Sequence, residues 1–405
     1  MPPEASVPRV ENGRSPLIAI GWPFLRLGCI SFGGPVAHLG YLRDEFVRKR
    51  RWLDDEAYSD LVALCQFLPG PASSQVVFGL GMQRGGIIGA LLASLCFMLP
   101  SAVLMILFAY GVAAIGELRH AGWLHGLKLA AVAVVAQAVW GMGKKLCPDP
   151  ARIALALAAA GAVLIVPGAW VQIGVIAAGA LIGGWVYRRD VPMDPPANPG
   201  LARSHLWAAA TLALFALLLA GLPALAALSK MEGLRVFDGF FRAGSLVFGG
   251  GHVVLPLLRA EVVPPGWITD DAFLAGYGAA QALPGPLFTF AAYLGTVIAG
   301  GPHAWLGGVW CLLAIFLPAW MLIGGALPFW HLLRSRAWTQ AALRGANAVV
   351  VGILLAALYN PVWKEGVAGP FDIVAAVAAF AFLEIGRAPS WLVVLLMAAA
   401  GQWLL

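Results

Sequence analysis

An all-α polytopic membrane protein is the fold class this sequence predicts, built as two inverted-topology repeats whose broken or re-entrant helices meet at the midplane. Three observations lead there. Of 405 residues, 60% are hydrophobic and only 11% charged, where a soluble domain carries about 25% charged residues. Apolar runs such as 87–98 and 153–166 suit helices that cross a bilayer. Finally, the stretch from Arg26 through Phe32-Gly33-Gly34-Pro35 returns as the stretch from Arg242 through Phe248-Gly249-Gly250-Gly251. Each is followed by a second kind of break, Pro69-Gly70-Pro71 and Pro284-Gly285-Pro286.

In chain order, residues 1–15 form a polar tail with prolines and no apolar core, so no cleavable signal peptide is expected. The first repeat covers 16–187. It opens with an apolar segment at 16–34, a charged amphipathic stretch at 43–51 and a helix at 54–68. After Pro-Gly-Pro come a short apolar segment ending at Met82 and four long ones at 85–114, 123–143, 153–166 and 169–187. Residues 188–205, with Pro192, Pro195, Pro196 and Pro199, read as an exposed linker. A lone transmembrane helix at 206–228 connects to the second repeat, 229–405.

The repeat has a defined register. An offset of 216 residues holds from Arg26/Arg242 through Phe32/Phe248, Gly33/Gly249, Gly34/Gly250, Arg43/Arg259 and Glu45/Glu261. An offset of 215 then pairs Trp52/Trp267, Asp55/Asp270, Gln66/Gln281 and the whole Pro-Gly-Pro. Pro100 pairs with Pro318 at 218 and Lys128 with Arg344 at 216. Two different breaks at matched spacing mark a duplicated unit.

Basic loops set the orientation. Arg48, Lys49, Arg50, Arg51, Lys144, Lys145, Arg152, Arg188 and Arg189 are expected in the cytoplasm. The counterpart of the first cluster, Val263-Pro-Pro-Gly, carries no positive charge and is expected outside. Five crossings separate the two starts, so the second repeat enters from the opposite face. Arg334, Arg336 and Arg387 then return inside. Such repeats typify secondary transporters, with the site where they meet.

The breaks suit an anion. Gly33-Gly34 interrupts a helix, and Pro35 and Pro71 suit the first turn of a new one. A helix start exposes free amide N–H groups and the positive end of the macrodipole. Irregular backbone at membrane depth is tolerated only inside protein or along a polar cavity. Ser73, Ser74 and Thr289 could add hydroxyl donors, and Gln66 and Gln281 amide donors. Arg26 and Arg242 place a guanidinium in an apolar segment, at a cost of about 2.5–3.5 kcal/mol on insertion scales. That planar fork fits a tetrahedral oxyanion.

The candidate binding set is therefore Arg26, Phe32, Gly33, Gly34, Gln66, Pro69, Gly70, Pro71, Ser73, Ser74, Arg242, Phe248, Gly249, Gly250, Gln281, Pro284, Gly285, Pro286 and Thr289. Arg43, Glu45, Lys128, Arg259, Glu261 and Arg344 are candidates for gating or coupling.

Structural roles compete with each of these. The arginines could pair with carbonyls freed by the breaks, and the glycines could be close-packing points. Lys128 and Arg344 could snorkel to the interface. Glu45 and Glu261 could be salt-bridge partners of Arg43 and Arg259, the favoured reading, or proton carriers.

The remaining chemistry is sparse. Cys29, Cys65, Cys96, Cys147 and Cys311 form no C-x-x-C pair and read as buried structural thiols. No metal-ligand cluster, cofactor fingerprint or catalytic constellation is present, and His38 and His252 do not align under the repeat, so an enzyme is not expected. Trp52 and Trp267 read as interface anchors. The net charge of +6 reflects cytoplasmic loops, with no nucleic-acid partner implied.

The stretches Phe32-Gly-Gly-Pro-Val-Ala-His-Leu-Gly-Tyr-Leu-Arg-Asp-Glu-Phe46 and Leu64-Cys-Gln-Phe-Leu-Pro-Gly-Pro-Ala-Ser-Ser-Gln75 resemble the amino half of the chromate ion transporter family. Residues 248–258 and 276–290 resemble its carboxyl half. The resemblance covers about residues 16–405, the long two-domain form. Met98 departs from it, where a threonine is expected. The resemblance implies a secondary transporter in the bacterial inner membrane that exports chromate and confers chromate resistance, without a cofactor. Membrane potential would drive the export, with proton coupling optional. Its partners would be the oxyanion, the lipid bilayer and, in a homodimer, a second copy of the chain. Sulfate is also a tetrahedral dianion, and transport of sulfate or a related oxyanion is the alternative.

Overall fold

A computed structural model describes residues 16–115, 122–166, 168–188, 205–301, 303–330 and 336–403. The polar tail and nearly all of the expected linker, with Arg189 and Arg334, lie outside them. Sixteen α-helices of nine or more residues, and no strand, make up the described residues. They are α1 (Pro16–Ile30), α2 (Gly34–Arg43), α3 (Asp55–Phe67), α4 (Ala72–Ile115), α5 (Gly122–Leu146), α6 (Pro150–Ile165), α7 (Ala169–Val186) and α8 (His205–Ser229). The chain continues with α9 (Glu232–Ser245), α10 (Val254–Val262), α11 (Asp270–Ala282), α12 (Phe290–Ala299), α13 (Trp305–Ala326), α14 (Ala337–Ala357), α15 (Pro370–Glu384) and α16 (Ser390–Trp403). Among the described residues, six helical stretches are long and apolar enough to cross a membrane.

Sequence signals explain the boundaries. Asp54 caps α3 by accepting from the Ala57 N–H, and Thr269, 215 residues on, caps α11 through Ala272 N–H. Helix α4 is two arms. Gly85 (φ −141°) and Gly86 (φ +59°, ψ −149°) leave helical geometry, the latter a conformation only glycine adopts readily. The chain reverses there, because a Cβ on Gly81 would lie 2.5 Å from the Gly89 carbonyl oxygen. The counterpart is the turn at Gly300-Gly301 between α12 and α13, where a Cβ on Gly295 would meet the Gly307 oxygen at 2.2 Å.

Helix α3 and the first arm of α4 form a hairpin with Pro-Gly-Pro at its tip, Leu61 packing on Gly79. Helices α11 and α12 form its counterpart. The Tyr293 ring lies on Gly276 and its hydroxyl donates to the Ala272 carbonyl. At 1.5 Å per residue, α3 and α11 each reach roughly 20 Å, short of the roughly 30 Å hydrocarbon core.

Helix packing is reciprocal. Helix α1 packs on α4 through Gly28, where a Cβ would lie 2.4 Å from the Phe97 oxygen. Helix α9 packs on α13 through Gly244, 2.3 Å from the Ile315 oxygen. Helices α6 and α7 pack on α14, while α15 and α16 pack on α5. Each unit therefore lays its last two helices against the matching helix of the other, α14 or α5. Glycines permit this closeness: an added Cβ would sit 1.9 Å from the Met397 oxygen at Gly126 and 2.0 Å from the Gly179 oxygen at Gly345. Helix α8 packs on α9 and α13 and is otherwise exposed.

Candidate functional site

The four breaks meet in pairs. The Gly70 N–H donates to the Val247 carbonyl at 2.7 Å, and the Gly285 N–H donates to the Ser31 carbonyl at 2.8 Å. Gly70 and Gly285 are repeat equivalents, and so are Ser31 and Val247. Each Pro-Gly-Pro tip is thus bonded to the Phe-Gly-Gly break of the other unit. The turns that bring these atoms together rest on left-handed glycines, with φ +94° at Gly33, +75° at Gly249, +120° at Gly70 and +98° at Gly285. Pro35 lies against Gly251, and Leu287 is near the same point. Helix starts from both units therefore converge here, at Gly34, Ala72 and the short turns Gly251–Val253 and Leu287–Thr289.

Several buried polar atoms on the segments that carry or lead into the breaks have no protein partner among the described residues. They include the Ser31 and Ser74 hydroxyls, the Gln281 Nε2 and the Arg242 Nη1. A buried group without a partner is costly, and all four of these can donate to an anion. The Gln75 Oε1 and the His38 Nδ1 are unpartnered acceptors.

The expected site residues divide. Pro69, Gly70, Pro71, Pro284, Gly285 and Pro286 form the tips. Phe32 lies partly buried 6.0 Å from Trp391, Phe248 is also partly buried, and Gly249 and Gly250 face Met142 of α5. Ser73 is buried and Gln66 exposed. Thr289 is buried, but its hydroxyl already donates to the Pro286 carbonyl at 2.8 Å, which closes its own turn and uses the expected donor.

The two arginines are not equivalent. Arg26 lies on an exposed face of α1. Arg242 is partly buried between two carboxylates, donating from Nε to Asp238 at 3.0 Å and from Nη2 to Glu261 at 2.8 Å, with the Trp170 ring 5.2 Å away. The structure does not join them as one guanidinium pair. Trp22 stands where Asp238 would match, so the first unit lacks the acid that would draw Arg26 inward.

The favoured pairing of Glu45 and Glu261 with Arg43 and Arg259 is overturned. Glu45 binds Arg50 and lies near Lys49, because the wide turn 44–49 folds the chain back over it. Glu261 binds Arg242. Arg43 and Arg259 instead bind Asp55 and Asp270, the first residues of α3 and α11. These are matched clamps, each joining a helix end to the next helix start. Lys128 does not snorkel: it binds Asp271 across the two units. Arg344 is engaged by the protein. Trp52 packs on Phe24 and Phe46 beneath Arg84, and Trp267 lies under Arg235. Among the cysteines, Cys29 is exposed and Cys65, Cys147 and Cys311 are buried.

Comparison with known proteins follows the same twofold division. The chromate transporter family matches twice, at residues 18–184 and again at 234–402. The chain belongs to the chromate transporter family. A chromate transport protein of Pseudomonas aeruginosa is 32% identical over 82% of this chain and 77% of its own length. One from Cupriavidus metallidurans is 27% identical, over 83% and 80%. A probable chromate transport protein of Synechococcus elongatus is 25% identical over 93% of both. No solved structure matches.

For a chromate transporter family member, then, the structure adds residues that sequence reading passed over. His38 donates from Nε2 to the same Ser31 carbonyl that accepts from Gly285. Gln75 Nε2 donates to the Pro69 carbonyl at 2.8 Å and braces the first tip. Asp238 and Asp271 complete ion pairs. His38, Gln75 and Asp238 have no like counterpart in the other unit, and Asp271 has only Glu56, so the register that found the breaks did not single them out.

Proposed function

We propose that this protein exports chromate from the bacterial cytoplasm through the inner membrane, by alternating access of two inverted repeats about the four breaks, and so confers chromate resistance. The observation that carries this reading is the reciprocal pair of backbone hydrogen bonds, Gly70 to Val247 and Gly285 to Ser31. It ties each tip to the other unit and gathers helix starts and unpartnered donors where a dianion can be held. The second arm of α4 and α5 to α8 give five segments between the two starts, an odd number that supports inversion. The hairpins α3/α4 and α11/α12, too short to span, support re-entrant elements.

In this reading the anion is bound chiefly by amides and hydroxyls of the breaks, with the Arg242 Nη1 facing in. Arg26 approaches the anion only if α1 turns. The Lys128–Asp271 pair, which crosses between the units, serves as a gate that must open as they rock.

Energetics favour export. Moving one charge through 100 mV is worth about 2.3 kcal/mol, so a dianion leaving a negative interior gains about 4.6 kcal/mol. At about 1.4 kcal/mol per tenfold, that sustains roughly three decades of gradient. Radiolabelled chromate flux in inside-out vesicles tests the reading, with and without an imposed potential and with sulfate as competitor. Accumulation that rises with a positive lumen is expected. Accumulation only in right-side-out vesicles overturns export, and preferential flux of sulfate overturns the substrate.

A further inference from the structure

The two hairpins are repeat equivalents, yet one is covered and the other is open. In α11 every residue from Ala272 to Ala280 is buried. Helix α5 lies on it, and a Cβ on Gly278 would stand 2.6 Å from the Leu127 carbonyl oxygen and 3.2 Å from the Leu127 Cβ. Lys128 binds Asp271 on the same face, and the Ser390 hydroxyl of α16 donates to the Gln281 carbonyl at 3.4 Å. Helix α3 packs on α2 and α4. Its residues Glu56, Ser59, Ala63 and Gln66 form an exposed stripe at helical spacing. An offset of 215 matches three of them to the covered positions, Glu56 to Asp271, Ala63 to Gly278 and Gln66 to Gln281. The clamps at the two helix starts differ in the same sense. The Arg43 and Asp55 side chains are 47% and 60% exposed, those of Arg259 and Asp270 only 25% and 23%.

A stripe with a carboxylate, a hydroxyl and an amide does not suit lipid, which would leave all three without partners. It suits water that enters where α3 begins, just after the basic residues 48–51, the end expected in the cytoplasm. At its other end the stripe reaches the Pro-Gly-Pro tip. Gly33 and Gly249 of the breaks are exposed. Gly249 lies against Met142 and Leu146, which flank Lys144 and Lys145, also expected in the cytoplasm. On the opposite side, the Lys128–Asp271 pair and the buried α11 close the way.

The register names the segment that fits the stripe. At an offset of 216, Leu127 matches Leu343 and Lys128 matches Arg344. Both stand in the first third of α14, which begins just after Arg336, on the side where α3 begins. We propose that this structure is the cytoplasm-open state and that, in the opposite state, α3 seats on α14 with Ala63 against Leu343 and Glu56 paired with Arg344. This rests on the alternating-access reading above and identifies its second gate. Arg344 exchanges the contact that engages it here for Glu56, while Lys128 releases Asp271. Each gate is one cation and one carboxylate, so closing one while opening the other trades like for like.

The test combines Ala63→Cys with Leu343→Cys in the full chain, reconstituted in liposomes. The approach of Gly278 to Leu127, carried over to the first unit, is close to the ~3.5–4.5 Å Cβ separation of a disulfide. Oxidation during chromate turnover is expected to join the two residues within one chain, seen as a cross-linked peptide by mass spectrometry. Radiolabelled chromate flux is expected to stop and to return on reduction, while each single cysteine variant keeps its flux under oxidant. A pair that transports when reduced yet forms no cross-link during turnover overturns the seating and leaves the transport reading standing. So does a cross-link that leaves flux unchanged, or a product of doubled mass, which puts a second copy on the stripe. Glu56→Arg gives a separate readout. Glu56 is exposed here, so the unfolding midpoint is expected to stay unchanged. In the closed gate the new charge meets Arg344, and flux is expected to fall by at least about tenfold. Wild-type flux in Glu56→Arg overturns the proposal even if the cysteine pair fails to assemble. A wild type that moves no chromate overturns the transport reading and this inference together.

Discussion

Replacing Gly285 by alanine tests the bonded breaks most directly. Its φ of +98° lies where an L side chain is strained, at about 1–3 kcal/mol. The added Cβ would stand 2.6 Å from the Ser101 Oγ. Ser101 is buried and donates to the Met98 carbonyl, so it cannot move away without losing packing or that bond. Overpacking of this kind adds about 1–3 kcal/mol. The sum expected is about 2–6 kcal/mol, read by denaturant unfolding of detergent-purified protein with tryptophan fluorescence. Chromate flux in vesicles should fall by at least about tenfold, since every 1.4 kcal/mol is a factor of ten. Removing the obstacle with Ser101→Gly should recover about half the stability, because the backbone strain stays. Wild-type stability and flux in Gly285→Ala would refute both the turn and the contact between the units.

Other expectations concern charges. Arg242→Gln leaves the buried Asp238 and the partly buried Glu261 without their cation and should cost about 3–5 kcal/mol, whereas Arg26→Gln, on an exposed face, should stay within about 0.5 kcal/mol; unfolding measurements on both would show it. Asp270→Asn removes a bidentate, half-buried partner of Arg259 and should cost about 1–3 kcal/mol, while Asp55→Asn at the matched exposed pair should leave the unfolding midpoint unchanged. The Asp149 carboxyl caps α6 and is held below the usual carboxylate range, first by the Arg152 backbone N–H. A lowered pKa means that its stabilisation is full above about pH 4 and is lost as the pH falls through the depressed value. Asp149→Ala should therefore lower stability by about 1 kcal/mol at neutral pH, a difference that shrinks on acidification.

Much of the helix plan could be seen in one dimension, since apolar length, prolines and double glycines mark where helices in lipid begin and end. The 54–68 segment became Asp55–Phe67 and the 206–228 segment His205–Ser229, because Asp54 is a side-chain cap and the lone segment is apolar throughout. Ion pairing was hidden. Arg43 and Glu45 are adjacent in sequence and invited a mutual bridge, yet Arg43 turns to the next helix start and Glu45 to the following turn. The choice depends on how the chain folds back after α2, which no spacing rule encodes. The reading of Arg26 and Arg242 as equals failed at Trp22, since one missing carboxylate decides whether a guanidinium is held inside.

By itself the sequence determined a duplicated helical membrane protein with two breaks per unit, because backbone geometry and hydrophobic length are local properties and the repeat could be laid over itself by number alone. Only the tertiary structure decided that each tip bonds the other unit's break, that the last helices are exchanged across the units, and that Arg242 lies between two acids. The first two turn on contacts between residues of different units, set by glycine-permitted closeness of helices, and the third on α10 folding back along α9 so that Glu261 meets Arg242.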